Sequence, residues 1–373
     1  MKEAIVTGAS GFIGSRIVYD LLKNGWLVYA IGRSKDNISW EKRMIASLDD
    51  IFGKSVERSL LENLQYYDIE ITDPYLYEKS FFVNSFKTDN VILFHSAGDT
   101  RFTPSDPLVQ RKINIDGSLN VIKAFGLYIS SFVHISTAYV SGIRQNLIME
   151  NEFNTGQSFR NCYEESKLDG EIAIQKLCKE LDIPLIITRP SIIINDTETG
   201  RSSTFTHLNA LVDVISRLQT HYGLKPGEVF SKEIRIILDP ECRPNMAPVD
   251  PIVNTLIKIA ENPESIGKVF HLCNPAPYSN AEILNLLLKA FDIEGKIHLK
   301  SVKILTEPLT YTEKMILRSF KPYIPYLNDK STFDLTNTRA IIPEYDSYFK
   351  PLGVEYMKKV INFQNTKSYN ESL

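Results

Sequence analysis

Ala4-Ile5-Val6-Thr7-Gly8-Ala9-Ser10-Gly11-Phe12-Ile13-Gly14 holds a strand, a turn and the start of a helix in one short stretch. Ala4 to Thr7 is an apolar run of the kind that fills a buried parallel strand. From Ile13 to Lys23 the apolar residues recur at helical spacing. Between them, Gly8, Gly11 and Gly14 permit a tight turn and let the backbone approach a pyrophosphate, while the first N–H groups of the helix point at its charge. Three glycines at this spacing recur by chance elsewhere; directly after the first strand and directly before a helix they are specific. Thr7, Gly8, Ser10, Gly11, Phe12, Ile13 and Gly14 are therefore the candidate contacts to a dinucleotide.

The rest of the chain repeats the same alternation. Leu27 to Ile31, Val91 to His95, Phe132 to Ser136 and Leu185 to Thr188 read as buried strands, and Leu108 to Tyr128 and Tyr163 to Leu181 as helices between them. Strand–helix alternation of this kind gives an α/β, Rossmann-type doubly wound parallel sheet. After Arg189-Pro190 the pattern breaks into a polar loop, Asn195 to Thr206, which either folds over a ligand or is simply solvated. Val269 to Leu272 returns as a late strand. The expected division is a dinucleotide-binding domain over residues 1–194, joined by a segment at about 240–274, and a smaller, mainly helical substrate lobe over 195–239 and 275–373.

The second strand ends Ala30-Ile31-Gly32-Arg33-Ser34-Lys35. NAD(H) sites place an acid here to accept from the ribose 2′-hydroxyl. That acid is absent, and Arg33, with Ser34 or Lys35 beside it, suits a 2′-phosphate instead. NADP(H) is the expected cofactor, with a plain surface arginine as the alternative.

Tyr163 and Lys167 stand four residues apart in Tyr163-Glu164-Glu165-Ser166-Lys167, so both project from one helix face. A phenol titrates near about 10; an ammonium fixed beside it makes it a usable proton donor and acceptor. Upstream, a strand ends at Ser136-Thr137, which brings the Thr137 hydroxyl within reach of a carbonyl oxygen. Thr137, Tyr163 and Lys167 are the candidate catalytic residues.

Composition excludes several classes. With 43% hydrophobic and 23% charged residues the chain reads as globular, and its net charge of −3, without basic runs interleaved with aromatics, gives no pull toward nucleic acid. No apolar stretch approaches the roughly 18 residues of a spanning helix, and nothing near Met1 reads as an export signal; a cytoplasmic protein is expected. Cys162, Cys178, Cys242 and Cys273 show no metal-ligand spacing, and no metal site is expected. His95 reads as a packing residue. His207 and His221 fall in the lobe, and Tyr323, Tyr326, Phe333, Tyr345, Tyr348 and Phe349 read as lobe core rather than as the lining of an acyl pocket.

Taken together, these motifs resemble the extended short-chain dehydrogenase/reductase superfamily. The likeness runs through the glycine turn, Asp68-Ile69, His95-Ser96-Ala97-Gly98, Asn114-Ile115-Asp116-Gly117, Ser136-Thr137-Ala138-Tyr139, Tyr163/Lys167 and Arg189-Pro190-Ser191. It implies that Asp68 and Ile69 contact the adenine, Ala97 and Gly98 the cofactor ribose region, and Lys167 the nicotinamide ribose, with Asn114, Tyr163 and Pro190 also at the cofactor. Gly98 departs from the family's frequent alanine. Met246-Ala247-Pro248-Val249-Asp250 and Phe270-His271-Leu272-Cys273-Asn274-Pro275 look like the thioester reductase branch, which includes terminal reductase domains of nonribosomal peptide synthetases, carboxylic acid reductases and fatty acyl-CoA reductases.

The activity this resemblance implies is NADPH-dependent reduction of an acyl thioester, on CoA or on a carrier protein, to an aldehyde or alcohol. The alternatives are an enzyme acting on a free ketone, an aldehyde or a nucleotide sugar, and, behind them, a non-catalytic NADP-binding regulator. Gly295 to Lys330 holds Lys296, Lys300, Lys303, Lys314, Arg318, Lys321 and Lys330 against Glu307, Glu313 and Asp329. Such a window either receives a phosphorylated substrate or acidic carrier, or is an ordinary solvated face.

Overall fold

The computed structural model describes residues 2–53, 56–79, 81–223, 229–299 and 307–366. Seven parallel strands form the central sheet: β1 (Glu3–Thr7), β2 (Leu27–Gly32), β3 (Leu64–Asp68), β4 (Val91–His95), β5 (Ser131–Ile135), β6 (Leu185–Pro190) and β7 (Val269–Leu272). Their spatial order is β3-β2-β1-β4-β5-β6-β7. Val6 pairs with Ala30 on one side and with Phe94 on the other. The order reverses between β1 and β4, the point where a ligand crevice opens beyond the strand ends.

Successive strand residues face opposite sides of the sheet. Ala4, Val6, Val28, Ala30 and Phe94 belong to one buried cluster, and Ile5, Tyr29, Ile31, Leu93 and Phe132 to the other. Both faces are covered, as a parallel sheet requires. The helices that cover them or extend into the lobe are α1 (Phe12–Lys23), α2 (Trp40–Phe52), α3 (Ser118–Phe125), α4 (Cys162–Glu180), α5 (His207–Tyr222), α6 (Val249–Glu261), α7 (Asn280–Ala290), α8 (Tyr311–Phe320), α9 (Ile324–Leu327), α10 (Thr336–Ile341) and α11 (Val354–Thr366). Two short parallel strand pairs lie outside that sheet: Ser331–Phe333 with Asn146–Ile148, and Met246–Pro248 with Ile192–Ile194.

Two sequence expectations are corrected and a third is narrowed. β3 was not expected, because Leu64-Gln65-Tyr66-Tyr67-Asp68 is an edge strand and only Leu64 is fully buried. The helix expected over Leu108 to Tyr128 is broken into Pro107–Arg111, a π-helical turn at Lys112–Gly117, α3 and a last 3-10 turn. The wide turn seats the Asn114 amide against the loop after β4, and at Gly117 a side chain would press on Ile71 at 2.9 Å. Nor does the polar loop after β6 hang free. The Tyr356 hydroxyl donates to the Asn195 carbonyl at 2.9 Å, Arg16 pairs with Asp196, and Asp250 accepts from the Thr197 N–H at 3.0 Å.

Candidate active site

The glycine turn is built for close approach. Gly8 has φ +64°, and a Cβ there would lie 2.6 Å from the Ala97 nitrogen; at Gly14 it would overlap the Gly8 carbonyl. Gly11 opens α1 with no side-chain cap and no acid in the first turn. The N–H groups at the start of α1 are thus left for an anionic ligand. This cradle fits a dinucleotide pyrophosphate.

Beyond β2, Arg33 lies half exposed, ion-paired with Glu70 and accepting at its carbonyl from the Arg43 guanidinium. Burial works against the charge on Glu70, but the Thr72 N–H and Arg33 together hold its carboxyl below the ordinary range. Asp68 accepts from the Ser34 N–H at 3.0 Å and from the Ser34 hydroxyl. Ile69 is buried, its N–H donating to the Gly32 carbonyl at 2.7 Å. Two guanidiniums therefore flank the end of β2, and only Arg33 was singled out from the sequence.

A cavity of about 490 Å³ opens at the C-terminal ends of β1, β4, β5 and β6. Of the sequence candidates, Gly11, Phe12, Ile13, Gly98, Thr137, Tyr163, Lys167 and Pro190 line it. Thr7, Gly8, Ser10, Gly14, Arg33, Asp68, Ile69, Ala97 and Asn114 do not line it. The Thr7 hydroxyl turns inward to His95 Nδ1 at 2.8 Å, and His95 Nε2 meets the Ser118 hydroxyl at 2.8 Å. Burial, reinforced by Lys167, pushes the His95 imidazole down to about 3, so it is a neutral support. Asn114 is buried too: its oxygen accepts from the Asp99 N–H at 2.7 Å and its nitrogen donates to the Ser166 hydroxyl at 2.9 Å.

α4 begins where Asn161 caps the Glu164 N–H, at 3.1 Å, and this start fixes the direction of Tyr163 and Lys167. Lys167 Nζ donates to the Ile135 carbonyl at 2.9 Å. Burial pushes its ammonium down to about 8, against the pull of Glu171. The Tyr163 phenol is pushed up to about 12 by burial, while its hydrogen bond with the Thr137 hydroxyl pulls the other way. At neutral pH the set presents a protonated phenol, a hydroxyl and an ammonium on one wall, an arrangement suited to stabilising and protonating an oxyanion.

The rest of the lining is largely aromatic, and it sides with the acyl-pocket alternative for Tyr323 and Tyr326. Phe102, from the loop after β4, stacks on Tyr326 with ring centroids 4.7 Å apart, and His207 meets Tyr323 edge-on at 4.8 Å. Tyr323 and Tyr326, expected in the lobe core, line the cavity; Tyr345 is core, its hydroxyl donating to the Cys273 carbonyl at 2.7 Å. Arg160 ties this wall to α4. It pairs with Glu164 at 3.1 Å and with Asp329 at 2.7 Å, and lies over the Tyr326 ring at 5.3 Å. Asn161 adds a 2.7 Å hydrogen bond to the Tyr326 hydroxyl. His221 is exposed at the far end of α5.

Among the described residues no group of three or more His, Cys, Asp and Glu is placed to hold a metal ion, and no helix is long and apolar enough to cross a membrane. Of the basic window, Lys300 and Lys303 lie outside the described residues, while Lys314, Arg318 and Lys321 are exposed on or just beyond α8.

A family model for NAD-binding proteins described as male sterility protein matches residues 6–256. The nonribosomal peptide synthetase asaC of Aspergillus flavus is 23% identical over 96% of this chain and 36% of its own length. UDP-glucose 4-epimerase of Mus musculus is 30% identical over 48% of this chain and 50% of its own length. The chain thus spans about a third to a half of these curated relatives. Among solved structures, the terminal R domain from the myxalamid PKS-NRPS biosynthetic pathway superposes with a TM-score of 0.78 at 17% identity, covering 99% of this chain and 92% of that one. UDP-glucuronic acid 4-epimerase from Bacillus cereus, in complex with UDP-glucuronic acid and NAD, gives 0.68 at 18% identity, covering 98% and 99%. These superpositions share the Rossmann-type fold.

Proposed function

Since the chain belongs to the male sterility protein family, within the extended short-chain dehydrogenase/reductases, we propose that it uses NADPH to reduce an acyl thioester, carried on CoA or on a carrier protein, to the aldehyde or alcohol. The observation that carries the reading is the convergence of Thr137, Tyr163 and Lys167 on one cavity wall, with Gly11, Phe12 and Ile13 of the glycine turn on the same cavity. The turn would hold the pyrophosphate, and Arg33 with Arg43 the 2′-phosphate. When bound, the reduced nicotinamide supplies hydride.

The chain's own residues do the rest. Thr137 and Tyr163 donate hydrogen bonds to the thioester oxygen as it becomes an oxyanion, where fixed donors help most. Tyr163 carries the proton that neutralises it, and the Lys167 ammonium, anchored on the Ile135 carbonyl, favours that transfer. The resulting hemithioacetal collapses because its leaving thiolate is the base of a thiol titrating near about 8.5. A second round on the aldehyde would give the alcohol.

A carrier-bound substrate is supported by two observations. The relatives include nonribosomal peptide synthetases and a thiolation-reductase di-domain. The exposed face of α8 presents Tyr311, Lys314, Met315 and Arg318 just ahead of the cavity residue Tyr323, apolar and basic groups together that suit a negatively charged carrier. The second reading, a nucleotide-sugar enzyme, is favoured by the epimerases that match about half the chain. Product analysis separates the two: a thioester reductase consumes NADPH and releases free thiol, whereas an epimerase changes neither. Isomerised UDP-sugar, with no thiol released from any acyl-CoA or carrier thioester, would overturn the proposal.

A further inference from the structure

The cavity wall facing Tyr163 is made of rings. Phe102, Phe205, His207, Tyr323 and Tyr326 form one connected set, with Phe205–Tyr323 centroids at 6.4 Å and Phe102–His207 at 6.0 Å. Phe102 also reaches the catalytic phenol at 6.2 Å, so the set begins where the reacting carbonyl must sit. His207 belongs with the rings: burial pushes its imidazole down to about 3, and it is neutral at working pH.

Charge on the wall is one-sided. Lys167 and Arg101 line the cavity, and among the described residues that line it there is no carboxylate. The nearby acids are already engaged, Asp99 by Arg101 and Glu164 by Arg160. An ammonium brought into this space would give up hydration, find no free counter-ion and face the Lys167 ammonium, which is unfavourable. A flat ring, in contrast, meets edges and faces with which aromatic pairs gain beyond simple area burial.

Resting on the thioester-reductase reading, we infer that this cavity selects an acyl group that ends in an aromatic ring close to the thioester and carries no free amine. Phe102 and Tyr323 set the ring preference, and the absence of a lining carboxylate excludes aminoacyl groups whose amine is unblocked.

The test compares pantetheine thioesters with saturating NADPH. 3-Phenylpropanoyl and nonanoyl have equal carbon number, and nonanoyl has the larger apolar surface, so greasiness alone does not favour the ring. The expected kcat/KM ratio is roughly tenfold in favour of phenylpropanoyl, the worth of one or two ring pairs. N-acetylphenylalanyl should exceed phenylalanyl by at least as much at pH 7. Phe102→Leu and Tyr323→Leu should each shrink the aryl-to-alkyl ratio several-fold.

Equal kcat/KM for aryl and alkyl, or for blocked and free amine, overturns the inference while leaving thioester reduction intact. If no thioester turns over, thioester reduction itself fails. The pocket's preference is then read from the binding of the matching, unreactive pantetheine amides by calorimetry. Tighter aryl than alkyl binding, with the free amine weakest, upholds the preference, and equal affinities overturn it.

Discussion

Replacing Arg160 with methionine removes a cation that lies between two carboxylates. The Arg160 side chain is 8% exposed, and its partners Glu164 and Asp329 are 0% and 3% exposed. Methionine keeps much of the apolar stem but leaves two buried acids without their counter-ion. Breaking a buried ion pair from one side costs roughly 3–5 kcal/mol, and lost ring stacking on Tyr326 and Tyr139 adds to it. Burial already holds Glu164 and Asp329 above their ordinary values in spite of Arg160. Without the guanidinium both rise further. An acid whose folded value is raised carries no charge penalty below its unfolded value, and the penalty grows as pH rises toward the folded one. The deficit should therefore be full at pH 8 and markedly smaller at pH 5. Urea denaturation of wild type and variant at the two values measures it. Because Asp329 closes the segment that carries Tyr323 and Tyr326, thioester kcat/KM should fall at least tenfold in the folded variant. A stability loss under about 1 kcal/mol at pH 8, or one that grows on acidification, would refute the reasoning.

Three further outcomes follow from other parts of the site. Arg33→Ala should weaken NADPH binding tenfold or more in fluorescence titration and leave NADH nearly unchanged, since a 2′-phosphate loses a bidentate partner; equal losses for both would remove the basis for NADPH. Lys167 is held at about 8 by burial, so its charge is present below that value and lost above it; kcat/KM should be flat from pH 6 to 7 and fall through pH 8, and a profile flat to pH 10 would exclude a required ammonium. Reversing Lys314, Arg318 and Lys321 to glutamate should raise KM for a carrier-bound thioester at least tenfold more than for the same acyl group on free pantetheine; equal effects would place carrier docking elsewhere.

The parts of this molecule legible in its sequence are those whose physics is local. β1, β2, β4, β5, β6 and β7 are buried on both faces and read as apolar runs, whereas the edge strand β3 mixes polar and aromatic residues and does not. Tyr163 and Lys167 are readable because helical spacing alone places them together. Phe102, Arg160, Tyr323 and Asp329 meet only after the chain crosses the whole sheet, and no spacing rule links them. The break at Lys112–Gly117 is hidden for a related reason: the turn comes with a hydrogen bond that Asn114 accepts from the Asp99 N–H in the loop after β4, a partner that helix propensity does not contain. For Phe102, a signal is available in its place on the loop that follows β4 at the crevice, where loops carry function.

In the proposed reaction Thr137, Tyr163 and Lys167 direct hydride to a thioester carbonyl. Its most direct test follows NADPH loss and thiol release together, with one acyl thioester, in wild type and in Tyr163→Phe. The reading requires thiol to appear in fixed ratio to NADPH consumed, one to one for aldehyde or one to two for alcohol. It also requires Tyr163→Phe to lose turnover by at least a hundredfold while binding NADPH normally. NADPH oxidation without thiol, or a Tyr163→Phe variant that keeps its rate, would contradict it.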